Sequence, residues 1–160
     1  MNTFKKSFFR LLVTIFFFQS VLAMATEPDP GTLTIYVAGD PVCSLKIEEG
    51  QVDLYLKEKG CRGGWNRRPS IHLQNARSAA TIQLSTYRTQ GNDINGCMNT
   101  DNYTVTLRTT KDNVTTSLDI WDLIKHDAGT VVVPGLRLIH KAFHHPEFIT
   151  GISCVRIRFD

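Results

Sequence analysis

The chain has 160 residues, which is enough for one domain of ordinary size. Two domains would each be too short to bury a sizeable core. It contains 18 basic and 15 acidic residues, and the basic excess lies in Lys5, Lys6 and Arg10, ahead of the first acidic residue, Glu27. The rest of the chain is neutral, so overall charge does not favour a nucleic-acid-binding protein, and we expect no specific nucleic-acid partner.

The first 25 residues are typical of an export signal. The positive charges precede an apolar run from residue 11 to 22, and Ala23-Met24-Ala25 follows it directly. The run is too short to cross a membrane as a stable helix, and the small residues fit a signal peptidase. We expect a signal peptide, residues 1–25, cleaved after Ala25, and an exported protein, periplasmic or secreted, without a stable membrane span. A retained membrane anchor is the alternative.

Residues 26–160 are predicted to form a single disulfide-bonded β-rich domain, because apolar and polar residues alternate in short stretches throughout. Turn residues separate the first three predicted strands, which favours an antiparallel meander there. The predicted strands are 33–37, 45–47, 52–56, 71–73, 81–84, 103–107, 130–133, 136–139 and 155–159.

Helical spacing occurs in one segment, where Leu118, Trp121 and Lys125 recur at i, i+3 and i+7 and Ser117 is a candidate cap. This predicts one short helix near residues 117–126. Together with the strands, it predicts a mostly β fold, a compact antiparallel β-sandwich or barrel with one short helix, stapled by two disulfides.

All four cysteines, Cys43, Cys61, Cys97 and Cys154, follow the predicted cleavage point. An even number of cysteines in an exported chain predicts two disulfides, and four cysteines allow three pairings. We expect Cys61 with Cys97 and Cys43 with Cys154, since these close the middle of the chain and tie an early strand to the last. No two cysteines have the C-x-x-C spacing, so we expect neither a metal nor a redox cofactor.

The segment from Lys57 to Arg77 concentrates positive charge, with six basic residues and one acidic residue. Guanidinium groups next to an indole can bind sulfate, phosphate or carboxylate while the ring stacks on a sugar or base. The alternative is a solvated loop whose Trp packs on the core. The candidate binding residues are Arg62, Trp65, Arg67, Arg68 and His72.

A polar loop, residues 88–102, is rich in Asn, Asp and Gly and could hold calcium. It does not have the spacing of an EF-hand, and a long turn pinned by Cys97 explains the same composition. We therefore expect no metal there.

A histidine-rich segment near the end of the chain is the second candidate for chemistry. It contains His140, His144, His145 and Glu147. On a helix, the first two imidazoles would share one face and could bind a divalent metal or act in acid–base catalysis. Lys141 stands where a zinc protease needs its glutamate, and Pro146 would end such a helix. A solvated loop is the alternative.

Several stretches resemble fragments of the βγ-crystallin Greek-key pattern, namely Leu54-Tyr55 followed by Gly60-Cys-Arg-Gly63, then Trp65-Asn66 through Ser70-Ile71, and later Thr81-Ile-Gln-Leu84. The resemblance implies a Greek-key arrangement of strands and assigns no site residues.

Two functions remain open. The first is an exported, non-enzymatic binding domain, which recognises a protein as an inhibitor or immunity-type protein does, or an anionic glycan of the cell envelope, through the arginine and tryptophan residues. The second is a small secreted hydrolase or toxin that uses the histidine-rich segment. The sequence offers no evident nucleophile for the second, so we favour a protein that is not an enzyme.

Overall fold

The computed structural model describes residues 29–48, 52–56, 60–61, 68–86, 103–144 and 151–159. In chain order the elements are β1 (Thr32–Val37), β2 (Asp40–Lys46), β3 (Val52–Tyr55), β4 (Pro69–Ala76), β5 (Ala80–Ser85), β6 (Tyr103–Thr109), β7 (Val114–Asp119), a 3-10 helix (Ile120–Lys125), β8 (Val131–Val133), β9 (Leu136–Phe143) and β10 (Cys154–Phe159).

The strands form two antiparallel sheets, a four-stranded sheet in the order β2-β1-β4-β7 and a six-stranded sheet in the order β3-β10-β5-β6-β9-β8. Buried residues alternate along most strands, and one hydrophobic cluster contains inward side chains of both sheets, such as Ile35 and Ile71 from one and Leu84 and Val155 from the other. The prediction of a mostly β, antiparallel fold is confirmed. Neither sheet closes into a barrel among the described strands.

The β1–β2 hairpin turns through Ala38 and Gly39, both with positive φ, between the paired residues Val37 and Asp40. Positive φ at both central residues is typical of a type I′ turn, whose twist matches that of the strands. The predicted meander ends there. β3 pairs with β10 in the six-stranded sheet, so the chain changes sheet after β2.

The predicted helix is present but shorter than expected. Residues 114–119 form the edge strand β7, and the 3-10 helix begins only at Ile120. Its cap is Asp119, whose carboxylate accepts a hydrogen bond from the backbone N–H of Trp121 at 2.8 Å, and not Ser117, which lies within β7. Pairing of β7 with β4 overrides the weak helical spacing, because it buries Val114 and Leu118 in the core.

One disulfide is seen in the described part of the chain, between Cys43 and Cys61, which contradicts both predicted pairings. The physical reason is the strand geometry. Cys43 points inward from β2, whereas Cys154 alternates with the core residues Val155 and Ile157 and so faces outward from the other sheet. The bond closes a short loop, 18 residues in sequence, and ties the edge of one sheet to the segment that follows β3 of the other.

The predicted export signal, residues 1–25, lies outside the described residues. In the part of the chain that the structure describes, no helix is both long and apolar enough to cross a membrane. The disulfide indicates an oxidising, exported location, since structural disulfides persist in such compartments.

The passage from β4 to β5, where the chain crosses between the sheets, is held by the buried side chain of Thr109. Its hydroxyl accepts a hydrogen bond from the Ala80 N–H at 2.9 Å and donates to the carbonyl of Arg77. Thr109 is 1% exposed. The end of β6 therefore fixes the crossover by satisfying the buried N–H of Ala80 and the part-buried carbonyl of Arg77.

We predict that Thr109→Val destabilises the protein by about 1 to 3 kcal/mol, because it keeps the shape of the side chain and leaves the Ala80 N–H without an acceptor. Urea unfolding measures the change. Thr106→Val, on the outward side of the same strand, is the control and should stay within about 0.5 kcal/mol of wild type. Equal effects of the two substitutions would contradict this role of the hydroxyl.

Tyr103 at the start of β6 is fully buried, and its hydroxyl donates a hydrogen bond to the Gly151 carbonyl at 2.8 Å. Burial raises the pKa of Tyr103, because the phenolate would be desolvated. The folded protein thus binds this proton more tightly than the unfolded chain does. The resulting stability is present below about pH 10, the ordinary tyrosine pKa, and is lost as pH rises above it.

We expect Tyr103→Phe to lower the free energy of unfolding by about 1 to 2 kcal/mol at neutral pH and to flatten its decline above about pH 10. Urea titrations at a series of alkaline pH values test this. Tyr36→Phe, which changes a half-exposed phenol, is the control and should retain the wild-type decline. An unchanged decline in Tyr103→Phe would show that another group causes it.

Candidate functional site

The predicted binding residues divide into two groups. Arg68 and His72 are described by the structure, while Arg62, Trp65 and Arg67 lie outside the described residues. His72 faces outward from β4, between the buried residues Ile71 and Leu73, and Arg68, which is exposed, directly precedes that strand.

The outer face of the four-stranded sheet is rich in hydroxyl groups. Directly paired residues share a face of a sheet, so register places Thr34 and Ser117 on either side of His72. The Thr34 and Ser44 hydroxyls are 3.1 Å apart. In the next row, Tyr36 pairs with Ser70, and its ring centroid is 6.5 Å from that of His72. This face therefore combines rings with many donors and acceptors.

Arg68 and Trp121 meet beside the four-stranded sheet, just before β4 and just after β7, and Trp121 also packs partly against the core. The Arg68 guanidinium carbon lies 4.5 Å from the centroid of the Trp121 ring, in a cation–π contact. Trp121 is half-buried, and the Asp119 cap fixes its backbone. We call Tyr36, Arg68, His72 and Trp121 the aromatic face. The sequence placed arginines next to Trp65, which lies outside the described residues, and it did not predict the contact with Trp121, because that contact joins residues 53 positions apart.

The outer face of the six-stranded sheet is basic. Register runs from Arg158 of β10 through Thr81 of β5 to Arg108 of β6 and Arg137 of β9. A second row runs through Gln83 and Thr106 to His140. Arg137, His140 and Arg158 are exposed, and Arg108 is half-buried. We call Arg108, Arg137, His140 and Arg158 the arginine face.

Sequence inspection missed the arginine face because its members are far apart along the chain. Each arginine alternates singly with core residues, as Arg158 does beside Ile157, so no local run of charge marks it. Strands β5, β6, β8, β9 and β10 contain no aspartate or glutamate. Asp53, in the edge strand β3, is opposite Arg156, which is buried. Among the described residues of these five strands, the charged side chains are therefore all basic.

The histidine-rich segment is strand rather than helix. His140 lies in β9 and His144 directly follows it, while His145 and Glu147 lie outside the described residues. Four residues of strand span about 13 Å, so these two imidazoles do not share one metal ion. No group of three or more His, Cys, Asp or Glu side chains in the described part of the chain could hold a metal. The polar loop 88–102 also lies outside the described residues.

A polar cleft of about 480 Å³ lies where turns meet at one end of the domain, between Asp29, Asn75, Arg77, Asp112 and Asn113. The Ser78 N–H donates to the Asp112 carboxylate at 2.8 Å, which lowers the pKa of that carboxyl. Asn75, in the irregular end of β4, and Asn113, before β7, have positive φ, which Asn tolerates better than most residues. Turn formation accounts for these residue types.

Comparison of the chain with protein-family models, with curated proteins and with solved structures found no match in any of the three. The resemblance to βγ-crystallins stays a prediction without support from these comparisons.

We predict that Arg68 and Trp121 stabilise each other by about 0.5 to 1 kcal/mol, which is the usual energy of an exposed cation–π contact. A double-mutant cycle of Arg68→Ala and Trp121→Leu, followed by urea unfolding, measures the coupling energy. A parallel cycle of Lys46→Ala and Trp121→Leu is the control. Lys46 is an exposed cation of β2, and we expect no coupling energy between it and Trp121. Coupling near zero for Arg68 would mean that the contact does not order this end of the face.

Proposed function

We propose that the chain is an exported, non-enzymatic binding domain that recognises an acidic glycan through the aromatic face. The observation that carries the proposal is the Arg68–Trp121 contact, in which Arg68 directly precedes β4, the strand that contains His72 of the Tyr36–His72 ring pair. Sugars present apolar C–H faces that pack on rings and hydroxyls that need donors and acceptors. The surrounding Ser and Thr side chains meet the second need.

The cation in this face supports an acidic sugar over a neutral one. A guanidinium binds carboxylate or sulfate in a bidentate manner, and Arg62 and Arg67 precede Arg68 closely in sequence. Export is supported by the disulfide and by the predicted signal peptide, residues 1–25. The intact mass of the protein recovered after export should match residues 26–160.

A second disulfide, between Cys97 and Cys154, belongs to this proposal. Cys43 and Cys61 bond to each other, and Cys154 is not a free thiol. Peptide mapping without reduction should yield one peptide pair that contains Cys43 and Cys61 and another that contains Cys97 and Cys154. A cross-linked peptide that joins Cys43 to Cys154 would contradict this pairing.

The functional test compares an oligosaccharide of uronic acids with the same oligosaccharide after its carboxyl groups are reduced to alcohols. We expect the exported protein to bind the acidic form more tightly by about tenfold, as for a hydrogen bond to a charged group. Arg68→Gln should abolish that preference, whereas Tyr36→Ala should weaken the binding of both forms. Isothermal calorimetry measures each affinity.

Arg137→Gln is the matched control, since it removes the same charge from the other sheet. It should bind the acidic oligosaccharide as wild type does. Failure of the wild-type protein to prefer the acidic form, or loss of the preference in Arg137→Gln and not in Arg68→Gln, would overturn the proposal. Capture of one protein partner in stoichiometric amount, in place of a glycan, would favour an inhibitor or immunity-type protein.

A further inference from the structure

The arginine face is a second surface that the proposed function does not use. It lies on the outer side of the six-stranded sheet, whereas the aromatic face lies on the outer side of the four-stranded sheet. The two sheets share one core, so these faces point in opposite directions. A ligand on the aromatic face therefore leaves the arginine face exposed.

The exposed positive charges of this face come from two neighbouring rows. Arg158 and Arg137 stand at either end of one row, three strand spacings or about 14 Å apart, and His140 lies in the next. Arg108 and Arg156 also contribute charge, but both have contacts within the protein. Arg137 and Arg158, whose side chains are exposed, are therefore the groups that an external partner meets first.

Exposed apolar side chains border the same face. Val131 is 55% exposed and Ile139 is 41% exposed, and they are the large hydrophobic residues of the described chain with the greatest exposure. Val131 of β8 is paired directly with Arg137, so both point to the same side. Ile139 is the extra residue of a β-bulge between Leu138 and His140, so it directly precedes His140 of the arginine face.

We propose that the arginine face docks on the anionic surface of a lipid membrane. Charge complementarity selects an anionic partner, because the strands that carry the face have no acidic residue except for edge strand β3. The apolar border favours a lipid surface over a soluble polyanion. The side chains of Val131 and Ile139 leave water when they enter the boundary between headgroups and acyl chains, which is favourable in free energy. The arginines then bind the anionic headgroups while the two apolar side chains insert to a shallow depth, and both contacts strengthen membrane binding.

The test measures how much of the exported protein sediments with vesicles at low ionic strength. One set of vesicles contains equal amounts of phosphatidylcholine and phosphatidylglycerol, and the other contains phosphatidylcholine alone. We expect binding to the anionic vesicles only, and weaker binding as salt is added. Arg137→Gln with Arg158→Gln should lower the partition coefficient by about fivefold for each arginine.

The charge-matched control is Lys46→Gln with Arg68→Gln, which removes two cations from the opposite sheet. It should bind anionic vesicles as wild type does, although it loses the acidic glycan if the aromatic face works as proposed. The failure of one proposal is thus distinguishable from the failure of the other. Vesicle binding that is lost equally in this control would overturn the arginine face as the docking surface.

Val131→Ser with Ile139→Ser tests the apolar contribution, and we expect it to reduce vesicle binding about tenfold without changing the net charge. Circular dichroism confirms that each variant is folded. Dextran sulfate serves as a soluble polyanion. The proposal of a lipid surface would be overturned if the wild-type protein does not bind anionic vesicles. It would also be overturned if the serine substitutions leave vesicle binding unchanged and dextran sulfate fully displaces the protein from the vesicles.

Discussion

The structure depends on one constraint, which is that strands of both sheets direct alternate apolar side chains into one shared core. Burial of a side chain such as Leu84 or Ile71 removes apolar surface from water, with a gain of about 25 cal/mol per Å². A shift of register by one residue would move each such side chain into solvent. The same alternation fixes the outward residues, so burial of the core also decides which polar groups meet on each surface.

The places where the chain changes sheet need separate support, because backbone groups leave the ladder there. In the crossover from β4 to β5, the Thr109 hydroxyl forms hydrogen bonds with the backbone N–H of Ala80 and the carbonyl of Arg77. The Cys43–Cys61 disulfide anchors the edge strand β2 to the segment after β3, and restraint of a loop of this length in the unfolded chain contributes about 3 kcal/mol in the chain-entropy model. Both therefore restrain the chain near points where it passes from one sheet to the other.

The strand positions were predictable because alternation is a local property of the sequence, and each predicted strand overlaps an observed one. Strand β7 was missed because Leu118 and Trp121 also fit helical spacing, and a sequence does not reveal which neighbour a segment will pair with. The predicted pairing of the cysteines was wrong for the same reason. Pairing depends on the face to which Cys43 and Cys154 point, and that is set by register with distant strands.

The site shows the same limit. Arg68 and His72 could be named because they lie in a segment dense in charge, but their neighbours Tyr36 and Trp121 come from other strands and other parts of the chain. No local signal marks the arginine face, which register alone assembles from three strands.

Register also keeps the two surfaces chemically distinct. The cations of the aromatic face are few and accompany rings and hydroxyls, while the arginine face has a single sign of charge and an apolar border at Val131 and Ile139. Attraction by the arginine face acts over about a Debye length, near 8 Å at physiological salt, which is less than the thickness of two packed sheets with their outward side chains. Charge on one side of the domain therefore has little effect on a ligand at the other side, and each surface can be altered without disturbing its opposite.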